Sequence, residues 1–233
     1  AKRPIKIGRS AKKIFPIFLF FISVYQVQAD NDSLWTIWNN QALHDTVRID
    51  AMNDLAWGGY LFSKPDSAFI CAQLSHDLAK ETGYKRKMAA ALNTQGASYW
   101  VRGVHAKALV YFKLSFEVYD EVGDLSNSAT CLNNMGIIYR SQGDNLKGLQ
   151  FLLKSLHIRE ELKDSSALPA VLNNIGLIYQ DQSDFDKALL YYQRSLKIRE
   201  ANNDKKQMAG SLNNVGLILQ IRKNYTHALD FFY

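Results

Sequence analysis

Leu132-Asn133-Asn134-Met135-Gly136 recurs forty residues later as Leu172-Asn173-Asn174-Ile175-Gly176, and again as Leu212-Asn213-Asn214-Val215-Gly216. Upstream, Leu92-Asn93-Thr94-Gln95-Gly96 is a weaker copy and Met52-Asn53-Asp54-Leu55-Ala56 a degenerate one. Four successive steps of 40 residues define a repeat. A fixed period of that length means stacked supersecondary units, none able to bury its apolar face alone.

Within a unit the pattern is helix, tight turn, helix. Leu132, Met135 and Tyr139 stand at i, i+3 and i+7, one face of a first helix. Gly143 interrupts, and Asp144 is placed to cap the second helix by accepting from its free amides. The aligned pairs Ser183-Asp184 and Lys223-Asn224 keep that capacity. Second helices end at residues that tolerate a left-handed backbone, Gly123 and Asn203, and Asp124, Asp164 and Asp204 follow as caps for the next first helix. Gly96, Gly136, Gly176 and Gly216 are each followed twelve residues later by a small residue, Ala108, Gly148, Ala188 and Ala228, with Ala68 in the first unit. Four residues beyond come Phe112, Leu152, Tyr192 and Phe232. Small residues at both contact points let the paired helices approach, and the large one fills the space beside them. Enlarging Ala188 is expected to cost roughly 1–3 kcal/mol by overpacking.

The spacing Leu-x2-Met-Gly-x2-Tyr over residues 132–139, with Ala188-x3-Tyr192 in the next unit, resembles the tetratricopeptide repeat signature. The usual period is shorter, and 40 is close to the longer variant of kinesin light chains. HEAT and armadillo arrays have periods near 40 as well, and it is the small pair with its aromatic follower that favours tetratricopeptide repeats. The resemblance covers about residues 46–233, specific in repeats three to five and looser in the first. It implies an all-α fold, a right-handed α-solenoid of stacked antiparallel helix pairs.

The expected map is residues 1–29 as a signal peptide, 30–45 as a lead-in, and 46–233 as five repeats, the last one truncated. A short helix over 33–42 carries Trp35 and Trp38 as a lid on the first repeat. Helix pairs follow at 46–82, 85–122, 125–162, 165–202 and 205–233. The apolar end Phe231-Phe232-Tyr233 lacks the polar outer face of a capping helix, so the chain reads as part of a longer protein.

In this family the first helices line the concave surface. That makes two rows of asparagine the candidate binding site: Asn93, Asn133, Asn173 and Asn213 at one offset, and Asn134, Asn174 and Asn214 at the next. Asparagine is mildly unfavourable inside a helix, so its repetition needs a reason. Its side chain offers a donor and an acceptor, suited to the amides of an extended peptide. Arg140, Gln180 and Gln220, seven residues past the first Asn of each unit, lie two turns along the same face. The alternative is that these amides bond to neighbouring repeats and hold the superhelix together, a reading with most force for the second Asn of each pair.

The formal charge of +6 does not point to nucleic acid. Residues 1–29 carry Lys2, Arg3, Lys6, Arg9, Lys12 and Lys13 and no acid, and beyond them 22 basic residues face 22 acidic ones. A neutral body has no field with which to release counterions from a phosphate backbone. The basic tail runs into Ile14 to Val24, IFPIFLFFISV, which spans roughly 17 Å as a helix against a hydrocarbon core of ~30 Å. With the small-residue exit Val27-Gln28-Ala29 this describes a secretory signal peptide cleaved after Ala29. Pro16 and the short run disfavour the alternative, an uncleaved anchor.

No chemistry is expected from the residues shown, and no cofactor. Cys71 and Cys131 fall where other repeats carry Tyr111, Phe151 and Tyr191, or Ala91 and Val171, so they read as buried thiols rather than a disulfide framework. His44, His76, His105, His157 and His227 have no metal-ligand spacing. Ser75-His76-Asp77 holds triad letters, but adjacent residues on a helix diverge, and Ser75 aligns with the structural Ser115, Ser155 and Ser195. Trp57-Gly58-Gly59-Tyr60 is not a phosphate loop, having no Lys-Ser/Thr after it. The charged cluster Lys197 to Glu200 reads as a solvated face.

The N-terminal block, Asp32-Ser33-Leu34-Trp35, Asp45-Thr46-Val47-Arg48 and Leu61 to Ala68, looks like the sensory portion of bacterial membrane signalling proteins. That resemblance implies a periplasmic or extracytoplasmic array, one membrane span not present in this sequence, and a cytoplasmic output, an adenylate or guanylate cyclase in the first place, with histidine kinases sharing the layout. It also implies a protein or peptide ligand and a homodimer for signalling through one span. The competing reading is a free-standing secreted or periplasmic assembly scaffold.

Overall fold

The computed structural model describes residues 30–221. Residues 30–39 form a helix, α1. There follow α2 (Asp45–Asp54), a π-helical segment (Leu55–Tyr60), α3 (Pro65–Glu81), α4 (Lys85–Val101), α5 (His105–Glu121), α6 (Leu125–Ser141), α7 (Asn145–Glu161), α8 (Leu168–Asp181), α9 (Phe185–Ala201) and α10 (Lys205–Ile221). Each helix packs on the next in chain order, and first helices also touch one another, α2 on α4 and α6 on α8. The described residues contain no strand. The expected signal peptide, the second helix of the last repeat, Ala228 and Phe232 lie outside the described residues.

The connections repeat at half the sequence period. Gly83, Gly103, Gly123, Gly143, Lys163, Ser183 and Asn203 all have positive φ, between 53° and 80°, and they fall 20 residues apart. Each ends a helix in a Schellman arrangement, in which the next amide reaches back five residues. Asp144 N–H donates to the Tyr139 carbonyl at 2.9 Å and Gly143 N–H to that of Arg140 at 2.9 Å. The residue after the turn then starts the following helix. Asp124, Asp144 and Asp184 accept from the amides of Asn127, Lys147 and Lys187 at 3.1–3.2 Å.

The glycines of the first helices meet the large residue directly. A Cβ on Gly96 would lie 2.8 Å from Phe112 Cδ1, one on Gly136 2.7 Å from Leu152 Cγ, and one on Gly176 2.5 Å from Tyr192 Cε1. The small-to-small approach occurs at Gly148, whose added Cβ would meet the Gly136 carbonyl at 3.1 Å. A second ladder fastens each pair. Ser75, Ser115, Ser155 and Ser195 are fully buried, and each Oγ donates to the carbonyl 26 residues earlier, that of Ile49, Ala89, Ala129 or Pro169. These serines are therefore structural, and Ser75 turns away from His76, whose Nδ1 bonds Asp77 instead. Cys71 and Cys131 are buried free thiols, and burial pushes both up to about 11.

Four details differ from the sequence-based map. The lead-in helix occupies 30–39 rather than 33–42, because Asn40 Oδ1 takes the Ala42 amide at 3.1 Å and opens a turn. Its Leu34, Trp35 and Trp38 pack against Met52, Leu55, Ala56, Cys71 and Ala72. The helix expected from 165 begins at Leu168, since Asp164 holds the Ser166 hydroxyl at 2.7 Å and the Ala167 amide at 3.1 Å in a preceding turn. The first repeat's first helix widens into a π-turn at Leu55–Tyr60, where Gly59 sits against Asn31 and Leu55. Lastly, Arg199 is not part of a solvated face. It is buried, and its guanidinium donates to the Gln207 carbonyl at 2.7 Å and Ser211 Oγ at 2.6 Å, fixing α10 on α9.

Candidate peptide-binding groove

The asparagine rows lie on the seam between successive first helices. Asn134 Nδ2 on α6 donates to Asn93 Oδ1 on α4 at 3.3 Å, and Asn174 Nδ2 on α8 donates to Asn133 Oδ1 on α6 at 2.9 Å. Asn133 Nδ2 reaches Asn134 Oδ1 at 3.5 Å, and Asn173 Nδ2 reaches Ser211 Oγ on α10 at 3.4 Å. The second asparagine of one repeat thus pairs with the first asparagine of the repeat before. Asn173 Oδ1 is buried with no hydrogen-bond partner among the described residues. Asn93, Asn133, Asn134, Asn173, Asn174 and Asn214 are half-buried, and Asn213 is exposed. The amides therefore tie the repeats together while keeping one edge in reach of solvent.

Seven residues on, the three polar positions take different roles. Arg140 makes a two-point ion pair across the seam with Asp181, Nε to Oδ2 at 2.6 Å and Nη2 to Oδ1 at 3.2 Å. Gln180 Oε1 accepts from Tyr192 OH at 2.8 Å, and burial raises that phenol's pKa. Gln220 is exposed.

Two further groups of residues on this face escape a search for polar ladders. Ile137, Leu177 and Leu217 stand four residues after the first asparagine and so share its face. Trp100 occupies the place of Arg140 in the preceding repeat and is 39% exposed. Trp100, Phe112, Asn134 and Ile137 together line a recess of about 50 Å³. Alignment at a shift of 40 could have found both groups. The surface that results alternates an amide row, an aliphatic row and a polar row over α6, α8 and α10. Among the described residues no three His, Cys, Asp or Glu side chains converge on a point. No helix there is long and apolar enough to cross a membrane.

Residues 87–161 and 132–201 match the model of the tetratricopeptide repeat family. No curated protein sequence matches. Among solved structures, BtubC (BKLC) from P. vanneervenii superposes with a TM-score of 0.74 at 16% identity, over 89% of this chain and 86% of that one. The apo form of RapI gives 0.68 at 16% identity, over 87% of this chain and 56% of that one. A signal transduction ATPase with numerous domains from Pyrococcus horikoshii, described as having a tetratricopeptide repeat sensor, gives 0.69 at 13% identity. This chain covers 82% of its own length and 30% of that protein's. At these identities the likeness is one of fold. With the family match, the 40-residue period and the glycine-to-large-residue packing, it identifies residues 87–201 as tetratricopeptide repeats within an all-α solenoid.

Proposed function

We propose that the surface carrying the asparagine rows binds an extended peptide segment of a partner protein, and that the array is the extracytoplasmic sensing part of a membrane signalling protein. One observation carries the first half: amide, aliphatic and polar side chains recur together on one face of α6, α8 and α10, with Trp100 in the polar place on α4. An extended strand offers a backbone amide pair every two residues and alternating side chains, so it meets a repeated amide row without a matching sequence. The half-exposed asparagines satisfy its backbone, the recess at Trp100 and Ile137 takes an apolar side chain, and the Arg140–Asp181 pair presents a polar edge beside it.

Because Asn133 and Asn174 bond each other, replacing them tests stability and binding at once. Trp100→Ala and Arg140→Ala are cleaner, since Trp100 is partly exposed and the Arg140 pair, also partly exposed, contributes at most about 1 kcal/mol. Peptides selected from a display library on the intact chain are expected to lose tenfold or more in affinity on Trp100→Ala, with the melting temperature little changed. Selection that yields only peptides indifferent to both variants would sink the groove.

The signalling half draws on the basic and apolar residues of the segment 1–29. Fusing residues 1–29 to a reporter active only after export tests the location. Reading the coding sequence past Tyr233 tests the rest. A stretch of about 20 apolar residues followed by a cyclase or kinase domain supports it. A stop after one capping helix leaves the free-standing scaffold.

A further inference from the structure

Between α5 and α7, above α6, lies an open cleft of about 530 Å³. Leu132, Met135 and Phe151 contribute to its lining, together with the charged Lys113, Lys154 and Asp120. Its α6 residues, Leu132, Met135 and Tyr139, are turned roughly 100° or more from the asparagine row on the same helix. The cleft is therefore a different surface from the groove. Its volume lies in the range of about 300–1,000 Å³ at which apolar clefts with a few polar groups hold drug-sized ligands.

The corresponding place one repeat later differs at two residues that matter. There Glu160 on α7 and Arg194 on α9, which align with Asp120 and Lys154, form an ion pair of 2.8 Å. That bridge fastens α7 to α9. At the α5–α7 cleft the carboxylate is one methylene shorter and the cation is a single ammonium rather than a fork. Neither Asp120 nor Lys154 has an ion-pair partner among the described residues. Lys113 has only an exposed contact of 3.8 Å with Glu117. The cleft is left unbridged, apolar within, and edged by two lysines against one aspartate.

We propose that this cleft binds a small amphipathic anion, an apolar body carrying one carboxylate, with the body over Leu132 and Met135 and the carboxylate at Lys113 and Lys154. The inference is independent of the peptide groove and of any signalling role. The excess of lysine over aspartate sets the sign of the head group: a cationic head meets two like charges, and a neutral one gains nothing from the excess positive charge.

The test is calorimetric titration of the whole chain with dodecanoate below its micellar concentration, beside dodecanol and dodecyltrimethylammonium. Dodecanoate is expected to bind one per chain and at least tenfold more tightly than either counterpart. Lys113→Glu combined with Lys154→Glu is expected to remove that preference while dodecanol binding stays as it was. Met135→Trp, which places an indole in the cleft, is expected to abolish binding of all three. Equal affinities, absence of dodecanoate binding, or a preference that survives the lysine variants overturns the proposal. So does a dimer that keeps the cleft closed to all three probes. Should Met135→Trp fail to fold, the lysine pair still decides, because both side chains are exposed and belong to no core cluster.

Discussion

The array up to α5 and the array from α6 onward build the same links by opposite means. Helices α3, α4 and α5 begin at Lys64, Tyr84 and Val104 with no side-chain cap, whereas α6, α7 and α9 begin at capping aspartates. The exits shift one helix later. Gly83, Gly103, Gly123 and Gly143 supply the left-handed residue as far as the end of α6, but Lys163, Ser183 and Asn203 must adopt it from α7 on, at a steric cost of roughly 1–2 kcal/mol for an ordinary side chain. Yet Val104 and Asp124 have nearly the same backbone angles, −89°/66° and −84°/73°. Link geometry that survives such different local chemistry is imposed by packing between helices, and the local residues only shift how much strain accompanies it.

If packing dominates, the largest effects come from the glycine contacts. Gly176→Ala forces a Cβ to within 2.5 Å of the fully buried Tyr192, whose hydroxyl is held by Gln180. Stability is expected to fall by roughly 1–3 kcal/mol. Gly58 in the π-turn has nothing within 4 Å of an added Cβ, and Gly58→Ala is expected to gain about 0.5–1 kcal/mol. Denaturant titration of both variants checks the contrast, and equal signs would break it.

The serine ladder comes next. Ser155 Oγ donates at 2.7 Å and Ser75 Oγ at 3.3 Å, both fully buried. Ser155→Ala should cost about 1 kcal/mol and Ser75→Ala visibly less. A larger loss at Ser75 would mean that the first repeat depends on its ladder more than its bond length indicates.

Smaller still is the cap that α3, α4 and α5 lack. Val104 is partly exposed and already holds the angles of a capping aspartate. Val104→Asp is expected to add about 0.5–1 kcal/mol by accepting an amide in the first turn of α5. Lys163→Gly addresses the complementary weakness of the later half, with a gain below about 1 kcal/mol, because glycine also loosens the unfolded chain. No gain from either would show that tertiary contacts have already absorbed the local defects.

The strict period made most of this visible in the sequence. Wherever Gly136, Leu152 and Ser155 have aligned counterparts, the helix pairs and their contacts follow from the spacing. The π-turn at Leu55–Tyr60 has no counterpart to align with, and it sets Gly59 against Asn31 of α1, a contact no repeat pattern encodes. The half-period of 20 was masked by chemistry, since lysine at 163 does not announce a left-handed residue. At the groove, asparagine recurrence pointed to a ladder, but whether its amides face a ligand or the next repeat depends on rotamers set by both neighbours. The α5–α7 cleft left no trace, because Lys113 and Lys154 read as an ordinary solvated face until the bridge at Glu160 and Arg194 is seen beside them.

The least effect expected from the two-halves comparison is a difference in acid sensitivity. Hydrogen bonds from the Lys147 and Lys187 side chains, then from the backbone amides of the same residues, hold Asp144 and Asp184 below the usual aspartate range. A carboxyl with a depressed folded value binds its proton less readily when folded than when unfolded. Its contribution is therefore complete above the unfolded value near 3.9 and is lost as pH falls through the lower folded one. Only the later half carries such caps, so protection of its amides against hydrogen exchange should decline first on acidification. Asn caps as well as Asp without titrating. Asp144→Asn with Asp184→Asn is therefore expected to flatten the acid limb of the melting-temperature profile and leave neutral stability nearly unchanged. Superimposable profiles for the variant and the original chain would place the acid-sensitive groups elsewhere, with Asp164 the next to examine, its carboxyl lowered despite partial burial by the Ser166 hydroxyl, the Ala167 amide and Arg159.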